Sequence, residues 1–279
     1  MNSKTINIKG QLLSLDEPQV MGILNVTPDS FYAGSRKQTE AAIIDRIETI
    51  LREGASIIDV GGYSSRPDAA EEVSETEEMQ RLEMALQPLL QHYPDVVVSV
   101  DTFRSSVARQ CVEKYGVSMI NDISGGELDE RMFDTVAQLR VPYIMMHMRG
   151  TPQTMQQQTD YEDVTADLLK YFSQKLERLF RLGVNDVILD PGFGFSKTLT
   201  QNYELMRHLG DFRIFGLPLL VGVSRKSMIY KLLETTPEES LNGTTVLHTY
   251  ALLQGADILR VHDVRAAKEA IRIVQQLKG

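Results

Sequence analysis

Apolar and polar positions along this chain follow two periods, and the switch between them recurs. Short β-branched or apolar runs occupy 20–25, 56–60, 96–101, 118–122, 142–147, 186–190, 218–223 and 258–261. Each is followed by a polar loop and then by a stretch whose apolar residues recur every three or four positions, the spacing of an amphipathic helix. One such stretch opens Ser74-Glu75-Thr76-Glu77, a capping-box pattern, and places Met79, Leu82, Leu86 and Leu89 on one face. Another, 161–182, carries Val164, Leu168, Phe172, Leu176 and Leu179 and stops at Gly183. The last follows Asp263 with Val264, Ala267, Ile271 and Val274. Such stripes are packing surfaces. Ahead of the first unit, 4–8 and 11–15 alternate around Lys9-Gly10, which predicts a short β-hairpin.

Strands alternating with helices imply a parallel sheet. Eight units in this length predict an α/β fold, a single (β/α)8 TIM barrel, with 1–17 as an N-terminal hairpin and 18–279 as the barrel, one domain over 1–279. An open doubly wound sheet would need two strands at exposed edges, and all eight runs are too apolar for that.

A TIM barrel builds its site at the C-terminal ends of its strands. The residues closing the predicted strands are Asn25, Asp59, Asp101, Asn121, His147, Asp190, then Ser224-Arg225-Lys226, then Arg260 and His262. A turn or cap accounts for any one of them. Eight polar endings aimed at one mouth are poorly explained by caps. Asp59, Asp101, Asn121 and Asp190 offer carboxylates and an amide, which suits a planar ligand edge rich in N–H groups. Arg225, Lys226, Arg260 and His262 come from strands seven and eight, where TIM barrels commonly bind phosphate. The expected ligand is a hydrogen-bonding heterocycle carrying a phosphate group.

The loops 26–38 and 61–73 are long for βα connections and predict lids or substrate walls, with Arg66 reaching an anion. The stretch LDPGFGFSK, 189–197, lacks Walker A spacing, so its glycines read as close backbone approach to a flat ligand, with Phe193 or Phe195 beside it. No HExxH or Cys/His cluster points to structural zinc. A phosphate-bound Mg²⁺ needs only one or two protein oxygens, and Asn25 can supply one. His92, His208 and His248 fall in helical stretches and read as structural.

Composition narrows the classes. The net charge of −9 argues against a nucleic-acid binder. The only cysteine, Cys111, can form no internal disulfide and reads as a buried side chain in a cytoplasmic protein. The opening MNSKTINIKG has no apolar core of a signal peptide, and no run approaches the length of a membrane span.

The stretches MGILNVTPDSF, IIDVGGYSSRP, VSVDTFR, INDISGG, MHMRGTPQTMQ, ILDPGFGFSK, LLVGVSRKSMI and GADILRVHDV, taken together and in order from Val20 onward, resemble dihydropteroate synthases. The resemblance implies a transferase of folate biosynthesis: 6-hydroxymethyl-7,8-dihydropterin pyrophosphate condenses with p-aminobenzoate to give 7,8-dihydropteroate and pyrophosphate. It implies that Asp101, Asn121, Asp190 and Lys226 hold the pterin, with Asp59 and Phe195 close by. Asn25, Arg66, Arg260 and His262 would handle pyrophosphate, with Mg²⁺ on Asn25. Ser65, Pro67, Ser227 and Phe31 would line the p-aminobenzoate pocket, and Lys226, Arg260 and Asp190 would carry the catalytic roles. It also implies a homodimer through the last helices. The chain departs from the family at Tyr63, commonly Glu; at Asp68, commonly Gly; and at Ala33, often Asp. Those departures bear on p-aminobenzoate and sulfonamide affinity.

Two other readings compete. A methyltransferase that shares the barrel and the pterin set, passing a methyl group to a corrinoid partner, would not need SRKS, Arg66 and Arg260. A non-catalytic pterin-binding paralogue would have lost pyrophosphate ligands, and none is missing.

Overall fold

The computed structural model describes residues 4–26, 36–63 and 73–278, without the side chains of residues 36–39. Two strands, β1 (Thr5–Ile8) and β2 (Gln11–Ser14), form the hairpin. Lys9 and Gly10 take the positive φ values, 51° and 88°, that its tight turn requires. Then follow β3 (Gln19–Asn25), α1 (Arg36–Arg52), β4 (Ile57–Gly61), α2 (Glu75–His92), β5 (Val97–Asp101), α3 (Ser105–Tyr115), β6 (Met119–Asp122), α4 (Met132–Leu139) and β7 (Tyr143–Met146). The second half carries α5 (Val164–Arg181), β8 (Val187–Asp190), α6 (Leu199–Arg207), β9 (Leu220–Val221), α7 (Ser227–Tyr230), α8 (Leu241–Gln254), β10 (Ile258–Val261) and α9 (Val264–Lys278).

The eight strands from β3 to β10 pair in parallel, in the order β8-β7-β6-β5-β4-β3-β10-β9. A single parallel bridge, Leu189 to Leu219, joins the two ends, and the Leu189 N–H donates to the Pro218 carbonyl at 2.9 Å. The predicted barrel is therefore borne out. The predicted strand 218–223 shortens to two residues. Pro218 has no N–H to give to a ladder, and the chain turns at once after Val223, whose carbonyl accepts from Lys226 at 3.1 Å.

The helices start and stop where side chains dictate. Ser74 accepts the Glu77 N–H at 3.2 Å and caps α2. Only half of the expected capping box forms, because the Glu77 carboxylate turns to Arg81 instead. Asp163 caps α5 through the Ala166 N–H at 2.9 Å. Ile43, Ile47 and Ile50 bring α1 against β3. A Cβ on Gly22 would lie 2.5 Å from Ile50, so the close approach of that helix requires glycine.

Inside the barrel the period-2 alternation stacks side chains in layers. Met21, Ile57, Met119, Ile144, Ile188, Leu220 and Ile258 fill the N-terminal end, and Ile6, Ile8 and Leu15 of the hairpin segment pack beneath them. The next layers toward the other end contain Asp59, Ser99, Asn121, Asp190 and Arg260. The fold thus spends its apolar residues on one end of the barrel and leaves the opposite end polar.

Candidate active site

The polar end is a connected charge network. Arg260 donates from Nε to Asp59 Oδ2 at 2.7 Å and from Nη2 to Asp101 Oδ2 at 2.8 Å. Asn121 donates from Nδ2 to the same Asp59 oxygen at 2.9 Å. These four residues come from β10, β4, β5 and β6, and the parallel register brings them level: Asp101 pairs with Asn121, and Asp59 with Ser99. Asp59 was expected to close its strand. The strand continues to Gly61, so Asp59 sits one layer deeper, fully buried, and holds Arg260 and Asn121 from below. Its Oδ1 and the Ser99 Oγ are buried without a partner among the described residues. Unpaired acceptors at the floor of a polar mouth suit a ligand that brings its own N–H groups.

The electrostatics follow from burial. Desolvation lifts the Asp101 carboxyl to about 7, against the pull of Arg260, and the nearby Asp59 adds to the lift. Burial works against the Arg260 charge as well, but Asp59 and Asp101 outweigh it and hold the guanidinium firmly charged. Asp190 closes β8 and is raised by desolvation, with Lys226 opposing. Its Oδ1 accepts the Gly192 N–H at 2.8 Å. Oδ2 accepts no hydrogen bond among the described residues. Lys226 follows the turn after β9, where burial brings its ammonium down to about 8 while Asp190 pulls the other way. Its Nζ donates to the Phe193 carbonyl and lies 4.6 Å from the Phe195 ring centroid. That settles the choice between the two phenylalanines: Phe193 is fully buried in the core, and Phe195 is the ring at the mouth.

Asn25 ends β3 level with Gly61, whose other neighbour in register is Asp101, and its Oδ1 lies 3.2 Å from where a Gly61 Cβ would sit. The His262 backbone N–H donates to Ser224 Oγ at 3.1 Å, and that hydroxyl also meets His262 Nδ1 at 3.1 Å. Burial, and then the Arg260 charge, bring His262 down to about 4, so it stays uncharged at neutral pH.

Two expected members of the ring are elsewhere. Arg225 forms a two-point contact with Asp263, at 2.8 and 2.7 Å, and anchors the start of α9. His147 is buried and meets the Lys197 ammonium through Nδ1 at 3.1 Å. Lys197 itself was missed. No local signal marks it, because a lysine after a loop ordinarily reads as solvated. Ser99 was also missed, although it lies two residues before Asp101 and must share its side of the strand. Ser227 begins α7, half-buried next to Lys226. Phe31, Ser65, Arg66 and Pro67, with the departures Ala33 and Asp68 and most of the two long loops, lie outside the described residues. Tyr63 is described: it packs edge-on against Phe103 at 5.1 Å, and its hydroxyl accepts from Gln153 Nε2 at 3.1 Å.

A family model described as pterin binding enzyme matches residues 21–262. The chain is 43% identical over 269 residues to the dihydropteroate synthase of Escherichia coli strain K12, covering 96% of this chain and 94% of that protein. It superposes with a TM-score of 0.90 on the Yersinia pestis dihydropteroate synthase solved with a sulfonamide drug complex, at 40% identity and covering 99% of both chains. The Xanthomonas albilineans dihydropteroate synthase solved with 4-aminobenzoic acid gives a TM-score of 0.90 at 35% identity, covering 100% of this chain and 99% of that one.

Proposed function

The chain belongs to the pterin binding enzyme family, among its dihydropteroate synthases, and we propose that its barrel mouth is where 6-hydroxymethyl-7,8-dihydropterin pyrophosphate condenses with p-aminobenzoate. The observation that carries the assignment of residues is the Arg260 bridge between Asp59 and Asp101, with Asn121 and Asp190 beside it.

Asp101, Asn121 and the uncommitted oxygen of Asp190 accept from and donate to the pterin edge. The Phe195 ring and the Lys226 stem flank its plane. Arg260 and the neutral His262 take the pyrophosphate, with Arg66 joining them. The bond that breaks joins the pterin methylene carbon to the pyrophosphate oxygen; the bond that forms joins that carbon to the amine nitrogen, which then sheds one proton. A neutral aryl amine needs no strong base. Holding the ring while neutralising the departing anion is electrostatic and positional work. Ser227, with Ser65, Pro67 and Phe31, receives p-aminobenzoate.

The donor set fits Mg²⁺: an amide oxygen at Asn25 is a hard ligand, and a pyrophosphate supplies most of the rest. When bound, the ion would neutralise charge on the leaving group. The residues of this chain would hold it through Asn25.

Pyrophosphate release from the two substrates tests the reaction; methyl transfer to a corrinoid acceptor, or neither activity, would overturn it. Lys226→Ala is expected to lower kcat/KM by roughly 10²–10³, the range for removing one preorganised electrostatic contact. Its melting temperature should hold or rise, because a desolvated ammonium disfavours the fold. Unchanged kcat/KM would remove Lys226 from the mechanism.

The pH dependence has a definite sign. Asp101 must be ionised to accept, so activity falls as pH drops through about 7. Lys226 must be charged, so activity falls as pH climbs through about 8. A plot of kcat/KM against pH is expected to be a narrow bell between those limits. A plateau extending from pH 5 to 9 would contradict both roles.

Assembly and location complete the proposal. Val246, Tyr250 and Leu253 recur at i, i+4 and i+7 on α8, and Ile273 and Leu277 at i, i+4 on the adjoining α9; all five are exposed. Such an apolar face suits a second copy of the chain. Light scattering at micromolar concentration should give twice the chain mass, and Val246→Glu with Ile273→Glu should halve it. A cytoplasmic home fits Cys111, a free buried thiol that burial pushes up to about 12. No helix among the described residues is long and apolar enough to cross a membrane.

A further inference from the structure

Lys197 is 3% exposed, and no carboxylate among the described residues forms an ion pair with it. Its Nζ has three partners: His147 Nδ1 at 3.1 Å, the Gly192 carbonyl at 3.0 Å and the Phe195 carbonyl at 3.0 Å. An ammonium has three hydrogens and no lone pair, so the three contacts match its full donor set. Burial drives both groups toward neutrality, Lys197 down and His147 down. The Asp190 charge pulls the other way on Lys197, and the three contacts have the geometry of a complete donor set. A buried cation bonded only to neutral acceptors is a poor stabiliser of a fold. A reason for it has to be sought in what it holds.

It holds the 190–197 loop from inside. Gly192 has φ +70° and a Cβ there would lie 2.1 Å from the His147 carbonyl, so the loop presses directly on the end of β7. Between the two carbonyls that Lys197 gathers lies the Phe193 carbonyl, which accepts from Lys226. The Gly192 N–H donates to Asp190, and the Phe195 ring lies beside the Lys226 ammonium. Asn202 fixes the far half of the loop through the Gly194 N–H at 2.7 Å and the Lys197 carbonyl at 3.2 Å. The near half, which touches Asp190 and Lys226, hangs on Lys197.

We propose that Lys197, seated on His147, is a positioning residue for the pterin side of the mouth: it fixes the loop whose atoms set Asp190, Lys226 and the Phe195 ring. The inference rests on the pterin reading given above. It predicts a split between the two substrates, because among the described residues the loop meets the p-aminobenzoate side only through Lys226, the neighbour of Ser227.

The test uses the full chain with Lys197→Met, which keeps the length and removes all three donors, and Lys197→Gln, which restores N–H groups for the two carbonyls. Affinity is measured by calorimetry with 6-hydroxymethylpterin, and KM for p-aminobenzoate at saturating pterin pyrophosphate. K197M is expected to weaken pterin binding roughly thirtyfold, about 2 kcal/mol, with the p-aminobenzoate KM within about threefold of wild type. K197Q should recover most of the loss. Pterin affinity within threefold in a folded K197M, equal changes for both substrates, or a K197Q as poor as K197M would each overturn the proposal. If K197M does not fold, K197Q decides: a pterin-only loss supports the role, and no loss or a loss shared by both substrates removes it. Absence of pterin binding in the wild type would instead overturn the reading of the mouth itself.

Discussion

Asp190→Asn is expected to reduce pterin affinity by more than a hundredfold while leaving the melting temperature within a few degrees of wild type. Asp190 commits one oxygen to the Gly192 N–H at 2.8 Å, and the other accepts no hydrogen bond among the described residues. Asparagine can keep the first contact through its own oxygen, so the loop stays anchored. The second position then becomes an NH₂ facing the N–H groups of the ligand. Two charge-assisted acceptor contacts of about 1.5–3 kcal/mol each are lost, which makes roughly 3 kcal/mol or more, about two decades in affinity. Lys226 would lose the carboxylate that favours its charge, which moves turnover in the same direction. Stability has little reason to fall, since burial disfavours the ionised Asp190 in the first place. Calorimetry with a pterin analogue and a thermal melt measure the two halves separately. Affinity within about threefold of wild type would show that Asp190 serves the loop alone.

The barrel was legible because its strands are buried on both faces and therefore read as unbroken apolar runs, while its helices show their own period. The same feature hid depth. In Ile57-Ile58-Asp59-Val60-Gly61 nothing in the pattern says that the strand ends two residues beyond the aspartate, so Asp59 reads as a rim residue when it lies a layer below. Depth adds support of Arg260 and Asn121, through one carboxylate oxygen, to what the sequence predicts for it. His147 and Arg225 failed for a different reason. Both sit at strand ends, as expected, but a side chain at a strand end can turn outward to a partner supplied by a remote segment, Lys197 for one and Asp263 for the other. Partners 50 and 38 residues away leave no local trace in the sequence. Lys197 was overlooked because LDPGFGFSK drew attention to its glycines and aromatic rings, and a lysine after a loop ordinarily reads as solvated.

Arg260→Met should cost both activity and stability, and the stability loss should depend on pH. The guanidinium sits between two carboxylates, 2.7 Å from Asp59 and 2.8 Å from Asp101. Methionine fills similar space and leaves both acids facing each other in the barrel. Removing one partner from a buried ion pair typically costs about 3–5 kcal/mol. Asp101 can escape part of that cost by taking up a proton, since its folded-state pKa already stands above the unfolded value. The folded chain then binds more protons than the unfolded one between roughly pH 4 and the raised value, so stability declines as pH rises across that window. In the wild type Asp101 already stands at about 7 with Arg260 pulling it down, and without that pull the window extends further upward. The deficit of R260M relative to wild type should therefore be greatest near pH 8 and shrink toward pH 5. Adding Asp59→Asn to R260M removes one of the facing charges and should restore much of the stability at pH 8, with no return of turnover, since the contact to the departing pyrophosphate is still missing. Turnover in both variants is expected to be down by at least roughly 10²–10³. Urea titrations of the three proteins at pH 5 and pH 8 decide the matter. A deficit of equal size at both pH values, or a double variant no more stable than R260M, would mean that Arg260 stabilises the barrel by packing, and the charge network would lose its place in the account of this site.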